Sequence, residues 1–230
     1  MKRFAIIVAG GSGQRMGGEM PKQFMPINGS PILFHTLSVF QKAIPDINLI
    51  LVLPKNEIDT WYKLCESYQM VYSVQIVEGG LTRFQSVDNG LKMIPNEDDV
   101  IVGVHDGVRP LASATLIQKC YSEANLDSGI VPTTKLKESI INANNLQMAD
   151  RENLRNVQTP QVFPAKKLKD AYEFCKILDP LGTEFTDDSS VFSKSGYKLK
   201  SVEGEYSNIK ITTSEDIIFA NALLGVRSEE

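Results

Sequence analysis

Cysteine is scarce in this 230-residue chain. The three present, Cys65, Cys120 and Cys175, are odd in number and far apart, and no Cys-x-x-Cys occurs. Neither a disulfide framework nor a zinc site is indicated. The three read as small core residues inside helices, in a reducing compartment. Histidine is scarcer still, with only His35 and His105. A histidine with no second one nearby is a poor metal site, so both read as packed or hydrogen-bonded neighbours. No apolar run approaches the length of a membrane span, and the N-terminus enters strand-like sequence without a signal-peptide pattern. The expected location is cytoplasmic, with no membrane partner. There is no excess of positive charge either, since 24 Lys and Arg against 28 Asp and Glu leave a net charge of −4. That balance argues against a general nucleic-acid or membrane-surface binder. An anion site must therefore be a local cluster of cations on a mildly acidic protein. Long linkers, low-complexity tracts and repeats are missing as well. With 42% hydrophobic residues, the chain has the material for one core and one domain spanning 1–230.

Two familiar phosphate-loop signatures are also absent. A P-loop needs Gly-Lys followed by Ser or Thr, and no Gly-Lys occurs. The dinucleotide fingerprint needs a glycine three places after Gly13, where Met16 stands, and the next strand ends in Leu53-Pro54-Lys55 with no acid for a ribose hydroxyl. Both departures argue against a nicotinamide dehydrogenase. What is present is an unbroken apolar run, Phe4 to Val8, leading into Gly10, Gly11 and Gly13. Such a run suits a strand buried on both faces. The glycines then let the backbone turn sharply and present bare N–H groups. Arg15 and Lys22 follow, with Pro21 stiffening the chain before the lysine. Amides, an arginine and a lysine are what a polyphosphate undergoing substitution needs. The bland alternative is a flexible turn with surface cations.

Along the chain, strands and helices alternate. Ser30-Pro31 predicts a helix start, with Ser as N-cap and Pro in the first turn. A strand is expected over 47–53, a helix capped by Asn56, and a short strand over 74–77. A helix through Gln85 to Leu91, a strand over 100–104 and a helix over 113–124 complete the first part. This rhythm predicts an α/β fold: a Rossmann-like mixed, mostly parallel sheet flanked by helices, with ligands beyond the carboxyl ends of the strands. From about 132 to 158 the rhythm breaks into polar sequence, with a turn signal at Asn142-Ala-Asn-Asn145. A projecting β-hairpin arm is expected there. An isolated hairpin is marginal in water, so a second copy of the chain is its expected partner. A helix from Ala165, a strand near 198–203 and a last helix capped by Ser214 close the chain.

Asp106 follows the expected fourth strand, beside the glycine loop. A carboxylate there is placed to hold Mg²⁺ against nucleotide phosphates. The alternative is an Asp that caps the next turn and pairs with Arg109. Further on come Gly79-Gly80-Leu81-Thr82-Arg83 and Ser86, Arg151 with Thr159-Pro-Gln eight residues later, Thr186-Asp-Asp, and Asn208-Ile-Lys210.

Ala9-Gly-Gly-Ser-Gly-Gln-Arg-Met-Gly with Pro21-Lys-Gln resembles the opening of the sugar-phosphate nucleotidyltransferases, and most closely the cytidylyltransferases that act on 2-C-methyl-D-erythritol 4-phosphate. The later motifs follow that family's order over nearly the whole chain. The resemblance implies a transfer of CMP from CTP to a sugar-alcohol phosphate, in the non-mevalonate isoprenoid route. It implies Arg15 and Lys22 as catalytic cations, and Ala9, Gly10, Gly11, Gly13, Gly80, Ser86, Asp106 and Gly107 around the nucleotide. Arg109, Ser139, Arg151, Thr159, Thr186 and Lys210 would meet the acceptor, with Asp106 on the metal. Glu138-Ser139 stands where many relatives have Asp-Thr, and Leu81 where some carry an acid. The resemblance also implies a homodimer joined through the arm. Two alternatives stay open: a ribitol 5-phosphate cytidylyltransferase using the same chemistry, and a non-catalytic nucleotide-binding subunit.

Overall fold

The computed structural model describes residues 1–10 and 20–228. In chain order the first elements are β1 (Lys2–Val8), α1 (Ile32–Ala43), β2 (Asn48–Leu53), α2 (Ile58–Ser67) and β3 (Val74–Glu78). Next come α3 (Arg83–Leu91), β4 (Val100–Asp106), α4 (Ala114–Ser122), β5 (Ser128–Lys135) and β6 (Arg155–Val157). The chain ends with β7 (Gln161–Pro164), α5 (Ala165–Leu178), α6 (Asp188–Lys194), β8 (Lys198–Glu203) and α7 (Ser214–Ser228). Among the described residues no helix is long and apolar enough to cross a membrane.

The strands form one eight-stranded sheet in the order β8-β5-β7-β4-β1-β2-β3, with β6 pairing β5. β1 sits near its centre, in parallel register with both β2 and β4. Its apolar run is explained by burial on two sides. Ala5, Ile7 and Ala9 pack with Leu33, Leu37 and Phe40 of α1, whereas Ile6 and Val8 pack with Phe84, Val87 and Tyr172 on the opposite face. A strand with period-two side chains can serve two cores only if every position is apolar. The helices therefore cover both faces, as the alternating rhythm predicts.

Three details differ from the sequence reading. α1 begins after Pro31, because Ser30-Pro31 pairs antiparallel with Pro26-Ile27. Asn28 and Gly29, at φ 46° and 78°, make the turn between them. Ser30 is thus extended backbone and caps nothing. Asn56 does not cap α2 either, since it lies within a short 3₁₀ turn, Lys55–Glu57, that feeds the helix directly. β7 was not visible in the sequence at all. It is four fully buried residues inserted antiparallel between β4 and β5, and it makes the sheet mixed.

The arm lies where the rhythm breaks. β5 and β6 pair from Thr133–Val157 to Lys135–Arg155, and a single bridge joins Ile141 to Met148 beyond them. The Asn142 N–H donates to the Gln147 carbonyl and the Leu146 N–H to the Asn142 carbonyl, both at 2.8 Å, closing the tip at the asparagine-rich turn.

Candidate active site

Three strand ends converge at one edge of the sheet: Val8-Ala9 after β1, Leu53 at the end of β2 and Asp106 at the end of β4. Crossings hold them in register. The Ala9 N–H donates to the Val52 carbonyl at 3.0 Å, the Gly107 N–H to the Val8 carbonyl at 2.8 Å and the Gly79 N–H to the Leu53 carbonyl at 2.8 Å. Beyond this edge lies a cleft of about 360 Å³ whose walls include Ala9, Gly10, Lys22, Gly80 and Ser86. A second cleft of about 230 Å³ adjoins it, lined among others by Arg109, Thr159, Thr186 and Asp187. Arg83, Asp106 and Lys210 belong to both.

Asp106 is the hinge of this arrangement. Its carboxylate is buried, yet three cations reach it: Arg83 Nε at 3.4 Å on Oδ1, with Arg109 Nε and Lys210 Nζ each at 3.1 Å on Oδ2. Burial by itself raises the pKa of a carboxyl group. Here Arg83, Lys210 and Arg109 outweigh it and hold Asp106 well below the usual carboxylate range. Arg83 is the mirror case. Burial disfavours its charge, but Asp188 and then Asp106 hold it above the ordinary arginine value. Its Nη2 lies 2.7 Å from Asp188 Oδ2, and the Tyr172 hydroxyl donates to Asp188 Oδ1 at 2.6 Å.

Behind Asp106 runs a chain of neutral groups. The Asp106 N–H donates to Thr159 Oγ1 at 3.1 Å, and Thr159 Oγ1 lies 2.9 Å from His105 Nδ1. His105 Nε2 faces the Arg109 carbonyl at 3.2 Å, so Nε2 carries the proton and Nδ1 accepts from Thr159. Burial pulls His105 down to about 4, against the pull of Asp106. It is neutral at pH 7, a packed neighbour and no metal ligand. His35 is equally structural, with Nε2 2.9 Å from the Ile27 carbonyl.

On the first cleft's other wall, Gly80 and Ser86 are tied together, the Gly80 N–H donating to Ser86 Oγ at 3.1 Å. A Cβ at Gly80 would lie 2.3 Å from that of Gln85, so the tight approach requires glycine. Lys22 opens a 3₁₀ turn, Lys22–Phe24. The next residue anchors that turn, because buried Gln23 donates through Nε2 to buried Glu57. Burial pushes the Glu57 carboxyl up to about 6, opposed by the Gln23 bond.

Of the residues singled out from the sequence, Ala9, Gly10, Lys22, Gly80, Ser86 and Asp106 meet at the first cleft, and Arg109, Thr159, Thr186 and Lys210 at the second. Gly11, Gly13 and Arg15 lie outside the described residues. Gly107 lines neither cleft. It permits close packing of β1 against β4, where a Cβ would sit 2.9 Å from that of Ala9. Ser139 and Arg151 are exposed in the arm and line neither cleft of their own chain. Arg151 Nη1 instead donates to the Lys137 carbonyl at 3.1 Å. Asp106 pairs with Arg109, as the plainer reading of it expects, and it also lines both clefts. Sequence reasoning gave no role to Arg83 or Asp188, although Thr186-Asp-Asp includes the latter. The motif around Gly80 contained Arg83, but nothing local announces a carboxylate 105 residues away.

Among the described residues no group of three or more His, Cys, Asp or Glu could hold a metal. Asp106 lines both clefts as a single carboxylate, its oxygens also meeting Arg83, Arg109 and Lys210. That donor set fits Mg²⁺ in the mode where substrate phosphates and water supply most ligands, not a protein-built cage.

A mixed α/β sheet with two clefts at its strand ends, sharing a wall of Arg83, Asp106 and Lys210, suits a pair of polyanionic ligands such as a nucleotidyltransferase joins. The family model described as 2-C-methyl-D-erythritol 4-phosphate cytidylyltransferase matches residues 4–226, and the chain belongs to that family. A relative of that name from Bacteroides fragilis is 43% identical over 97% of this chain and 100% of its own length. The crystal structure of 4-diphosphocytidyl-2C-methyl-D-erythritol synthase from Anaerococcus prevotii superposes with a TM-score of 0.78 at 36% identity, covering 97% of this chain and 96% of the other. That of the Francisella tularensis cytidylyltransferase gives 0.80 at 28% identity, with 96% and 99% covered.

Proposed function

We propose that the chain transfers the CMP moiety of CTP to 2-C-methyl-D-erythritol 4-phosphate, yielding 4-diphosphocytidyl-2-C-methyl-D-erythritol and pyrophosphate. The observation that carries the reading is the shared cationic wall: Arg83 and Lys210, held by Asp106, stand between a larger and a smaller cleft. CTP takes the larger cleft, with Gly80 and Ser86 toward the base and Gly10 and Lys22 toward the phosphates. The acceptor takes the smaller one, its phosphate toward Arg109 and Lys210. An oxygen of the acceptor phosphate bonds to the α-phosphorus, and the bond from that phosphorus to the β-bridging oxygen breaks in line. Its electron pair leaves with pyrophosphate. The nucleophile is already an anion at neutral pH, so no general base and no covalent enzyme intermediate are required. The protein's task is alignment and charge absorption, which falls to Lys22, Lys210 and, from the sequence, Arg15. Asp106 would hold Mg²⁺ together with the nucleotide phosphates, and the ion would neutralise phosphate charge there.

The working unit we propose is a homodimer. The arm leaves Ile141, Leu146, Met148, Leu154 and Val157 exposed, an apolar set that a second copy would cover. Arg151, absent from its own chain's clefts, would then meet the acceptor of the partner. The free thiols of Cys65, Cys120 and Cys175 fit a reducing compartment and with it the cytoplasm.

The test is direct. Purified protein with CTP labelled in the α-phosphate and Mg²⁺ is offered methylerythritol phosphate and ribitol 5-phosphate in parallel. Labelled diphosphocytidyl product with the first alone is the expected result. Product with ribitol 5-phosphate alone, or with neither, overturns the reading. Chelation by EDTA should abolish the rate and Mg²⁺ restore it; a rate that persists in chelator removes the metal from the scheme.

A further inference from the structure

We infer that Arg83 is a further catalytic residue, a braced cation that contacts the phosphate groups of both substrates where the two clefts meet. The inference rests on the functional reading above and deepens it. Arg83 stands at the first position of α3, after the Thr82 cap, whose hydroxyl accepts from the Gln85 N–H at 3.2 Å. Its side chain is 26% exposed and borders both clefts.

A guanidinium carries N–H groups on two edges. One edge is consumed: Nε lies 3.4 Å from Asp106 Oδ1 and Nη2 lies 2.7 Å from Asp188 Oδ2. Among the described residues the other edge, Nη1 with the second hydrogen of Nη2, has no partner. Asp188 is itself immobilised, fully buried and receiving the Tyr172 hydroxyl at 2.6 Å. The guanidinium is thus clamped on one side with its opposite edge left to the clefts. An arginine used only to neutralise Asp188 would not need to border two anion sites. One used as a phosphate ligand needs a fixed fork, and the two carboxylates supply the fixing. Placed between two polyanions that must approach each other, this edge offsets their repulsion most when the new bond is forming. Its loss should therefore appear in kcat more than in KM.

The experiment is steady-state kinetics on the full chain, wild type first, with CTP and methylerythritol phosphate. Arg83→Gln should lower kcat on the order of a hundredfold while KM for CTP changes only a few-fold. Arg83→Lys, which returns the charge without the fork, should recover only part of that loss. Added guanidinium should raise the rate of Arg83→Ala several-fold and leave wild type unaffected. A merely structural arginine predicts otherwise: a lowered Tm, no rescue by guanidinium, and rates that follow the folded fraction. That pattern, or a kcat of Arg83→Gln within threefold of wild type, overturns the inference. Should Arg83→Ala and Arg83→Gln fail to fold, Arg83→Lys alone decides, since undiminished kcat with a single ammonium excludes a required fork. If wild type transfers nothing to methylerythritol phosphate, the functional reading has failed. Pyrophosphate binding then judges Arg83 separately: affinity unchanged in Arg83→Lys overturns the inference, and weakened affinity supports it.

Discussion

Lys210 Nζ lies 3.1 Å from Asp106 Oδ2 although the two residues are far apart in the sequence, one at the close of β4 and the other just before α7. The Ile211 N–H donates to the Val108 carbonyl at 2.9 Å, so backbone pairing carries the lysine to the strand end. Asp106 is thereby the point at which the late part of the chain is fastened to the early part.

Removing that charge should therefore weaken both fold and reaction. Asp106→Asn leaves Arg83, Arg109 and Lys210 converging on a neutral amide. Breaking a buried pair costs about 3–5 kcal/mol, and partial exposure of Arg83 and Lys210 brings the expectation to about 2 kcal/mol. Denaturant unfolding of the variant should read a loss of that order, and transfer activity should fall with it. Unchanged stability would mean that the three cations repel one another too little for Asp106 to matter as their anchor.

Lys22 makes a separate prediction, because it enters the larger cleft from the turn that Gln23 and Glu57 anchor. Lys22→Ala should lower kcat on the order of a hundredfold, about 3 kcal/mol for one preorganised charge contact, with a smaller effect on KM for CTP. Side-by-side kinetics with wild type measure it. Near-normal turnover would take the lysine out of the chemistry.

The strands around β1 were legible because apolar runs bounded by glycine and proline record strand burial directly, whereas their order in the sheet was not readable from such runs. Phe4 to Val8 announces a strand with two cores, and Ser113 announces α4, accepting the Leu116 N–H at 2.9 Å as its cap. β7 was illegible for the converse reason. Its four residues begin with Gln161, buried because Asp187 and the Ser189 N–H satisfy its amide. Such tertiary compensation leaves no trace in local pattern. The same holds for the site: Asp106 could be read from its strand end, whereas the Asp188 and Tyr172 brace behind Arg83 depends on α5 and α6 packing against α3. Thr159 was read as an acceptor contact, and its hydroxyl proves also to be committed to His105 and the Asp106 N–H.

The arm yields a test of assembly. Mix an inactive Arg151→Ala variant with an inactive Lys22→Ala variant and let the chains exchange. If Arg151 serves the partner's acceptor cleft, each mixed dimer has one site carrying both lesions and one carrying neither, and activity returns in part. If it serves its own chain, every site keeps one lesion and the mixture stays inactive. Sedimentation as a monomer at assay concentration would sink the idea before any mixing.

The last prediction concerns pH, where two buried groups act in opposite directions. His105 falls from an ordinary 6.5 to about 4 on folding, so the unfolded chain binds more protons than the folded one between those values. Its contribution to stability is complete above about 6.5 and is lost as pH falls toward 4. Glu57 rises from 4.5 to about 6, so here the folded chain binds more protons. Its contribution is complete below about 4.5 and is lost as pH rises through 6. At 1.36 kcal/mol per unit the two spans correspond to about 3 and about 2 kcal/mol. They largely cancel between pH 4.5 and 6, and His105 prevails at the edges. Glu57→Gln removes the opposing member while keeping a polar group beside Gln23. Relative to wild type, its stability should therefore fall more steeply as pH drops from 6 to 4.5. His105→Gln should do the reverse and lose the acid-side decline. Urea midpoints measured at half-unit intervals from pH 4 to 7 decide it. Parallel curves for wild type and Glu57→Gln would show that the carboxyl titrates alike in the folded and unfolded chain.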